Sequence, residues 1–144
     1  MASEIYAWIG NLQWKVKLFL ERNKLLSEGL AELKEAGSSL TMLNSAQVQL
    51  FSRQRSRLGS SAFHSNRAAQ MLAERMNDRI SRGSACTAKV DSTSAGASRK
   101  SDQMQTEIND NTTQINSLQG QIGSLYARAQ AEEAAAAAAG SGGT

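Results

Sequence analysis

One histidine and one cysteine are all the imidazole and thiol chemistry available to the chain, at His64 and Cys86. Both fall on the same predicted helical arm, too far apart along it for one to activate the other, so a Cys–His dyad is out of reach. There is no glycine-rich phosphate loop, no Cys/His spacing of a metal site and no pair of carboxylates in an apolar setting. This pattern points away from an enzyme and implies neither a cofactor nor a metal. Cys86 reads as an ordinary thiol beside a helix seam, and being alone it excludes an intrachain disulfide.

Charge offers a second kind of chemistry. Arg53, Arg55 and Arg57 precede a turn, and His64, Arg67, Arg75, Arg79 and Arg82 follow it. The last third inverts the sign, with Asp102, Glu107, Asp110, Glu132 and Glu133 against Arg128 alone. A basic hairpin tip built on Arg53, Arg55, Arg57 and Arg67 could meet nucleic acid, anionic lipid or an acidic partner. The simpler reading is a solvated tip on a dipolar rod, and it is favoured. Only Phe51 and Phe63 are interleaved with the arginines, so base stacking has little to work with and nucleic acid is the disfavoured partner. The overall formal charge of +3 is too small to imply a polyanion without such clustering.

These residues need an element to hold them, and the periodicity supplies helices. From Met104 the row Met104, Ile108, Asn111, Ile115, Leu118, Ile122, Leu125, Ala129 alternates steps of four and three, the seam of a helix that packs on another. The same seam runs back through Ser101, Ala97, Ser94, Val90, Thr87, Gly83, Ile80, Met76 and Ala73 to Ala69 without a slip. A first arm, with Ser3 as its expected N-cap, reads Ile5, Ile9, Leu12, Val16, Phe19, Asn23, Leu26, Leu30, Leu33 and on to Phe51. Gly37-Ser38-Ser39 predicts a bend rather than a loop, because the apolar pattern resumes at Leu40. A complete lack of proline and an aromatic content of 5% also suit long helices better than a sheet.

Arg57-Leu58-Gly59-Ser60-Ser61 is the turn signal. Gly59 is expected to take the left-handed C-cap conformation, and Ser60 or Ser61 to cap the next helix. The expected fold is therefore all-α, an elongated antiparallel two-helix hairpin with arms near 3–57 and 62–130. Residues 131–144 form an alanine-rich helical extension and a flexible Gly/Ser tail. Folding back at Gly59 makes facing residue numbers sum to about 120, setting Leu33 against Thr87, Phe51 against Ala69 and Gly37 against Gly83. In that register Asn23, Asn44 and Asn111 do not face one another, which leaves partner helices or water for them, or simply an exposed seam edge. Leu118, Ile122 and Leu125 project beyond Met1 with nothing to cover them, and with Trp8 they become the expected partner-binding residues. A turn nearer Arg67 is the alternative, and would let the first arm cover them. No window approaches the roughly 18 uninterrupted apolar residues of a membrane span. The start lacks the charged-then-apolar order of a signal peptide, so a cleaved export signal is not expected, while export by a route that reads a folded helical protein stays open.

A short, proline-free, two-helix chain with a Gly-containing break near its middle resembles the small helical proteins of bacterial type VII secretion. Its nearest look is to the hairpins that accompany LXG toxins, and more loosely to WXG-type substrates. The resemblance is architectural and covers most of residues 1–130. At the turn, Arg57-Leu58-Gly59 stands where those families often carry Trp-x-Gly, and Trp8-Ile9-Gly10 lies inside the first helix instead. The aromatic-x-x-x-acid export signal is also missing, since Tyr126 is followed four residues on by Gln130. The resemblance implies a non-catalytic hairpin in the bacterial cytoplasm, paired with another helical protein as export partner or targeting chaperone of a larger effector. Homo-oligomeric coiled-coil assembly through the exposed seam is the alternative, and a nucleic-acid-binding helical protein the third.

Overall fold

The structure, a computed structural model, describes residues 1–59 and 66–142. Among these the chain is all-α: helix α1 runs Ala2–Leu58, helix α2 runs Arg67–Ser141, and the two pack on each other as an antiparallel hairpin. The first turn of α1 hangs from the Met1 carbonyl, which accepts from the amides of Glu4 (3.1 Å) and Ile5 (3.3 Å). Ser3 is thus inside the helix and is not its cap. α1 passes through Gly37-Ser38-Ser39 without a break. There the Thr41 hydroxyl donates to the Gly37 carbonyl at 2.9 Å.

The caps at the hairpin end differ from expectation. The Gly59 amide donates to the Arg55 carbonyl at 3.0 Å, continuing the helical spacing, and no described glycine has a positive φ. Gly59 therefore supplies no left-handed cap. α2 is capped by Asn66, whose side-chain Oδ1 accepts from the Ala69 amide at 2.8 Å. An Asn in this place satisfies one of the free amides of a first turn. Ser60 and Ser61 lie outside the described residues.

The chain divides into two compact units, Met1–Leu30 with Gln103–Thr144, and Ala31–Asp102. In the first unit the seam is aliphatic. Ile5 and Ile9 cluster with Ala129, which is fully buried, and Ile122 and Leu125 pack against them. Leu12, Val16, Leu26, Leu30 and Ile115 are buried further along. The one polar layer is Asn23 with Asn111, whose Nδ2 donates to Asn23 Oδ1 at 2.9 Å. In the second unit Leu58, Ala73 and Ile80 cluster with Phe51 and Met76, while Asn44, Thr87 and Ser101 are buried polar residues. Asn44 Nδ2 donates to the Thr87 carbonyl (3.3 Å) and to Asp91, giving this buried donor two acceptors.

The register differs from the expected one. Asn23 faces Asn111 and Phe51 faces Gly83, so facing numbers sum to 134 in each unit. A Cβ on Gly83 would lie 2.2 Å from the Phe51 ring, so the ring occupies the hole that glycine leaves. Phe51 therefore meets Gly83 rather than Ala69, Thr87 meets Asn44 rather than Leu33, and Gly37 has nothing within 4 Å of its Cβ position. The difference is a slide of two heptads, which leaves every seam residue on the seam.

Candidate helix-docking site

In the first unit the two edges of the seam are closed to different degrees. On one edge the rings of Tyr6 and Tyr126 meet edge to face, centroids 6.1 Å apart. Gln13 Nε2 donates to the Tyr126 hydroxyl at 3.3 Å. The Tyr6 hydroxyl is hydrogen-bonded to Glu133, which holds its pKa above the usual 10.0, with burial and the Glu133 charge adding to the effect. Around Tyr6, Gln13 and Tyr126 this edge is covered by amphipathic side chains that keep their polar ends satisfied.

The other edge is open. A groove of about 770 Å³ is lined by Lys15, Leu18, Phe19 and Arg22 of α1 and by Glu107, Asn111, Gln114 and Leu118 of α2. Its end is bridged by Arg22 Nε donating to Glu107 Oε1 at 2.9 Å. Nearer the N-terminus a second hollow of about 520 Å³ is lined by Trp8 and Leu12 of α1 and by Ser117, Gly120, Ser124 and Leu125 of α2. The small residues make a low wall, and nothing lies within 4 Å of the Cβ position of Gly120. Trp8 stands 59% exposed at this rim. Lys15 lines the larger groove and forms no ion pair among the described residues.

The expected partner-binding residues divide here. Trp8 and Leu118 do line the open edge. Ile122 and Leu125 do not overhang: α1 covers them through Ile5 and Ile9, because the register lies two heptads from the one expected. Leu125 keeps one flank on the hollow beside Trp8. The Asn expectation is corrected by the same slide, since Asn23 and Asn111 partner each other. Leu18 was not singled out from the sequence, lying one residue before the seam position Phe19. It is 44% exposed, and with Trp14 (62%) and Leu25 (66%) it continues the apolar surface outward along α1.

The four arginines of the basic tip also separate. Arg55 Nη2 donates to Ser84 Oγ at 2.9 Å on one edge of the second unit, whereas Arg53 and Arg57 fall on the other edge by helical period. Arg67 is the first residue of α2. His64 lies outside the described residues, and Cys86 is exposed. Among the described residues no group of three or more His, Cys, Asp or Glu is placed to hold a metal ion, and no helix is long and apolar enough to cross a membrane. Compared with family models, curated proteins and solved structures, the chain matches none of them.

Proposed function

We propose that the chain is a non-catalytic helical-hairpin interaction protein whose first unit receives a helix of another protein along the open edge of its seam. The observation that carries this reading is the groove between Leu18, Phe19 and Leu118, an apolar floor left uncovered along one edge of the seam. Two packed helices with such a furrow offer a third helix a ridge-into-groove seat. Each large apolar side chain buried there contributes about 1.5–3 kcal/mol before the costs of association. Lys15 beside the groove favours a partner helix with a carboxylate at that level. The two-helix architecture is consistent with pairing as a type VII secretion partner or targeting chaperone of a larger effector in the bacterial cytoplasm, and this is the context we favour.

Co-expression pull-down with the products of neighbouring genes tests the reading, followed by light scattering of the chain alone and of any complex. The expected result is a stoichiometric heteromer with a helical partner, lost in Leu18→Asp and in Leu118→Asp while the circular dichroism of the free chain is retained. A chain that dimerises by itself, through the same two residues, would replace this reading with self-assembly.

A further inference from the structure

We infer that the second unit carries a separate docking face for an anionic lipid surface. Arg55 bonded to Ser84, and Asn44 bonded to Asp91, mark one edge of its seam. By helical period the other edge presents Leu43, Leu50 and Arg57 from α1, and Leu72 and Arg79 from α2. Arg53, Arg75 and Arg82 stand one column further out on the same side. All of these side chains are exposed, Leu43 at 68%, Leu50 at 51% and Leu72 at 52%.

The face is one-signed. Its columns hold no Asp or Glu between Ser39 and Leu58 on α1 or between Arg67 and Gly96 on α2. The adjacent carboxylate, Asp78, is engaged by Arg82 at 3.0 Å. Apolar side chains set among guanidiniums, of which Arg82 is paired with Asp78 and Arg53, Arg57, Arg75 and Arg79 lie in columns without a carboxylate, match the layered chemistry of a bilayer surface. Arginines pair with phosphates and anionic headgroups while leucines enter the boundary with the acyl chains.

The shape of the face separates lipid from the other polyanions. Two grooves of this unit, one beside Leu33 and Ser101 and one beside Asn44 and Asp91, lie on the opposite edge. The leucines of the basic face are exposed and stand among arginines, so the face offers charge and apolar surface together, the pairing a bilayer boundary takes up and an acidic helix does not require. Nucleic acid would use the arginines but not the leucines, and the Phe51 ring is turned inward against Gly83 and cannot stack on a base. Because no described helix can span a bilayer, the association is peripheral.

The test is flotation of the full chain with vesicles of phosphatidylcholine alone, or with about one-third phosphatidylserine, at about 0.1 M salt. Binding only to the phosphatidylserine vesicles is expected. Arg75→Gln with Arg79→Gln should weaken it by about fivefold per arginine. Leu50→Ser with Leu72→Ser should weaken it too, while leaving the salt dependence unchanged. All four positions are exposed, so circular dichroism should match the parent. Arg55→Gln with Arg67→Gln, on the other edge, should cost less than the Arg75/Arg79 pair. Equal binding to both vesicle types, or an Arg55/Arg67 loss as large as the Arg75/Arg79 loss, would overturn the proposal. So would tighter binding to duplex DNA that is indifferent to the leucine substitutions.

Discussion

Both units use one heptad seam and fill it with different side chains. Residues 1–30 and 103–142 bury Ile5, Ile9, Leu12, Val16, Leu26, Leu30 and Ile115, with a single asparagine layer at Asn23 and Asn111. Residues 31–102 instead close much of their seam with Gly83, Thr87, Ser94, Ala97 and Ser101, and with Asn44 bonded to backbone and to Asp91. In the first unit the aliphatic seam borders an apolar groove on one edge. In the second the Phe51 ring fills the hole left by Gly83, and the outer columns on one side carry arginines and leucines. The same repeat thus carries an apolar groove in one unit and an exposed basic face in the other.

Truncating the core should show the difference most strongly. Ile9→Ala and Ile80→Ala remove the two most deeply buried large side chains, and each is expected to cost about 2–5 kcal/mol in denaturant melts. Hydrogen exchange read by mass spectrometry should place the loss of protection of Ile9→Ala first in residues 1–30 and 103–142, and that of Ile80→Ala in the other unit. Uniform loss in both cases would erase the distinction between units.

The asparagine layer is the next lever. Asn23→Leu alone strands Asn111 and is expected to cost about 1–3 kcal/mol, whereas adding Asn111→Leu should recover most of it, because an apolar pair leaves nothing unsatisfied. A double variant no better than the single would mean the two side chains do not act as a pair. Chemical denaturation of the four-member cycle checks this.

Glycines sharpen the packing contrast further. Gly83→Val drives a side chain into the Phe51 ring and should destabilise by about 1–3 kcal/mol. Gly37→Ala meets open space and should stabilise by about 0.5–1 kcal/mol through helix propensity. Thermal melts of both variants give the signs. A neutral Gly83→Val would show that the close approach is not needed.

The smallest expected effect lies on the tyrosine edge. The Glu133 hydrogen bond raises the Tyr6 pKa above 10.0 in the folded chain, so its contribution is fully present below the unfolded tyrosine pKa. It is lost as pH rises through the folded value. Thermal melts from about pH 9 to 11 should show an alkaline decline that Tyr6→Phe reduces. An unchanged decline would remove Tyr6 as its source.

Helix number, phase and the seam itself were legible in the sequence. Every α2 seam position from Ala69 to Ala129 is buried or half-buried, because a strict four-three alternation admits one buried stripe. Register was not legible from periodicity, since a seven-residue repeat looks the same after any whole-heptad slide. What fixes it are the exceptions to the repeat: Gly83 as the hole for Phe51, and Asn111 as the only seam asparagine able to meet Asn23 while keeping both helices paired. Volume matching alone pairs Phe51 with Ala69, which leaves a smaller hole than Gly83 does. The open groove was hidden for the same reason. Which of Trp8, Leu118, Ile122 and Leu125 face solvent depends on what lies across from them, and that follows only once the register is known. Gly59 misled because a glycine after a helix is permissive of the left-handed cap without requiring it, and Asn66 was the better capping signal.

Cysteine pairing tests the register most directly, and with it the covered Ile122 and Leu125 and the groove beside them. In a Cys86→Ser background, Asn23→Cys with Asn111→Cys should oxidise to a disulfide within one chain, needing a Cα separation of about 7 Å or less. Leu33→Cys with Thr87→Cys should not. Intrachain closure of the Leu33/Thr87 pair with failure of the Asn23/Asn111 pair would contradict this register, and cross-linking of Asn23/Asn111 only between chains would replace the hairpin by a swapped assembly.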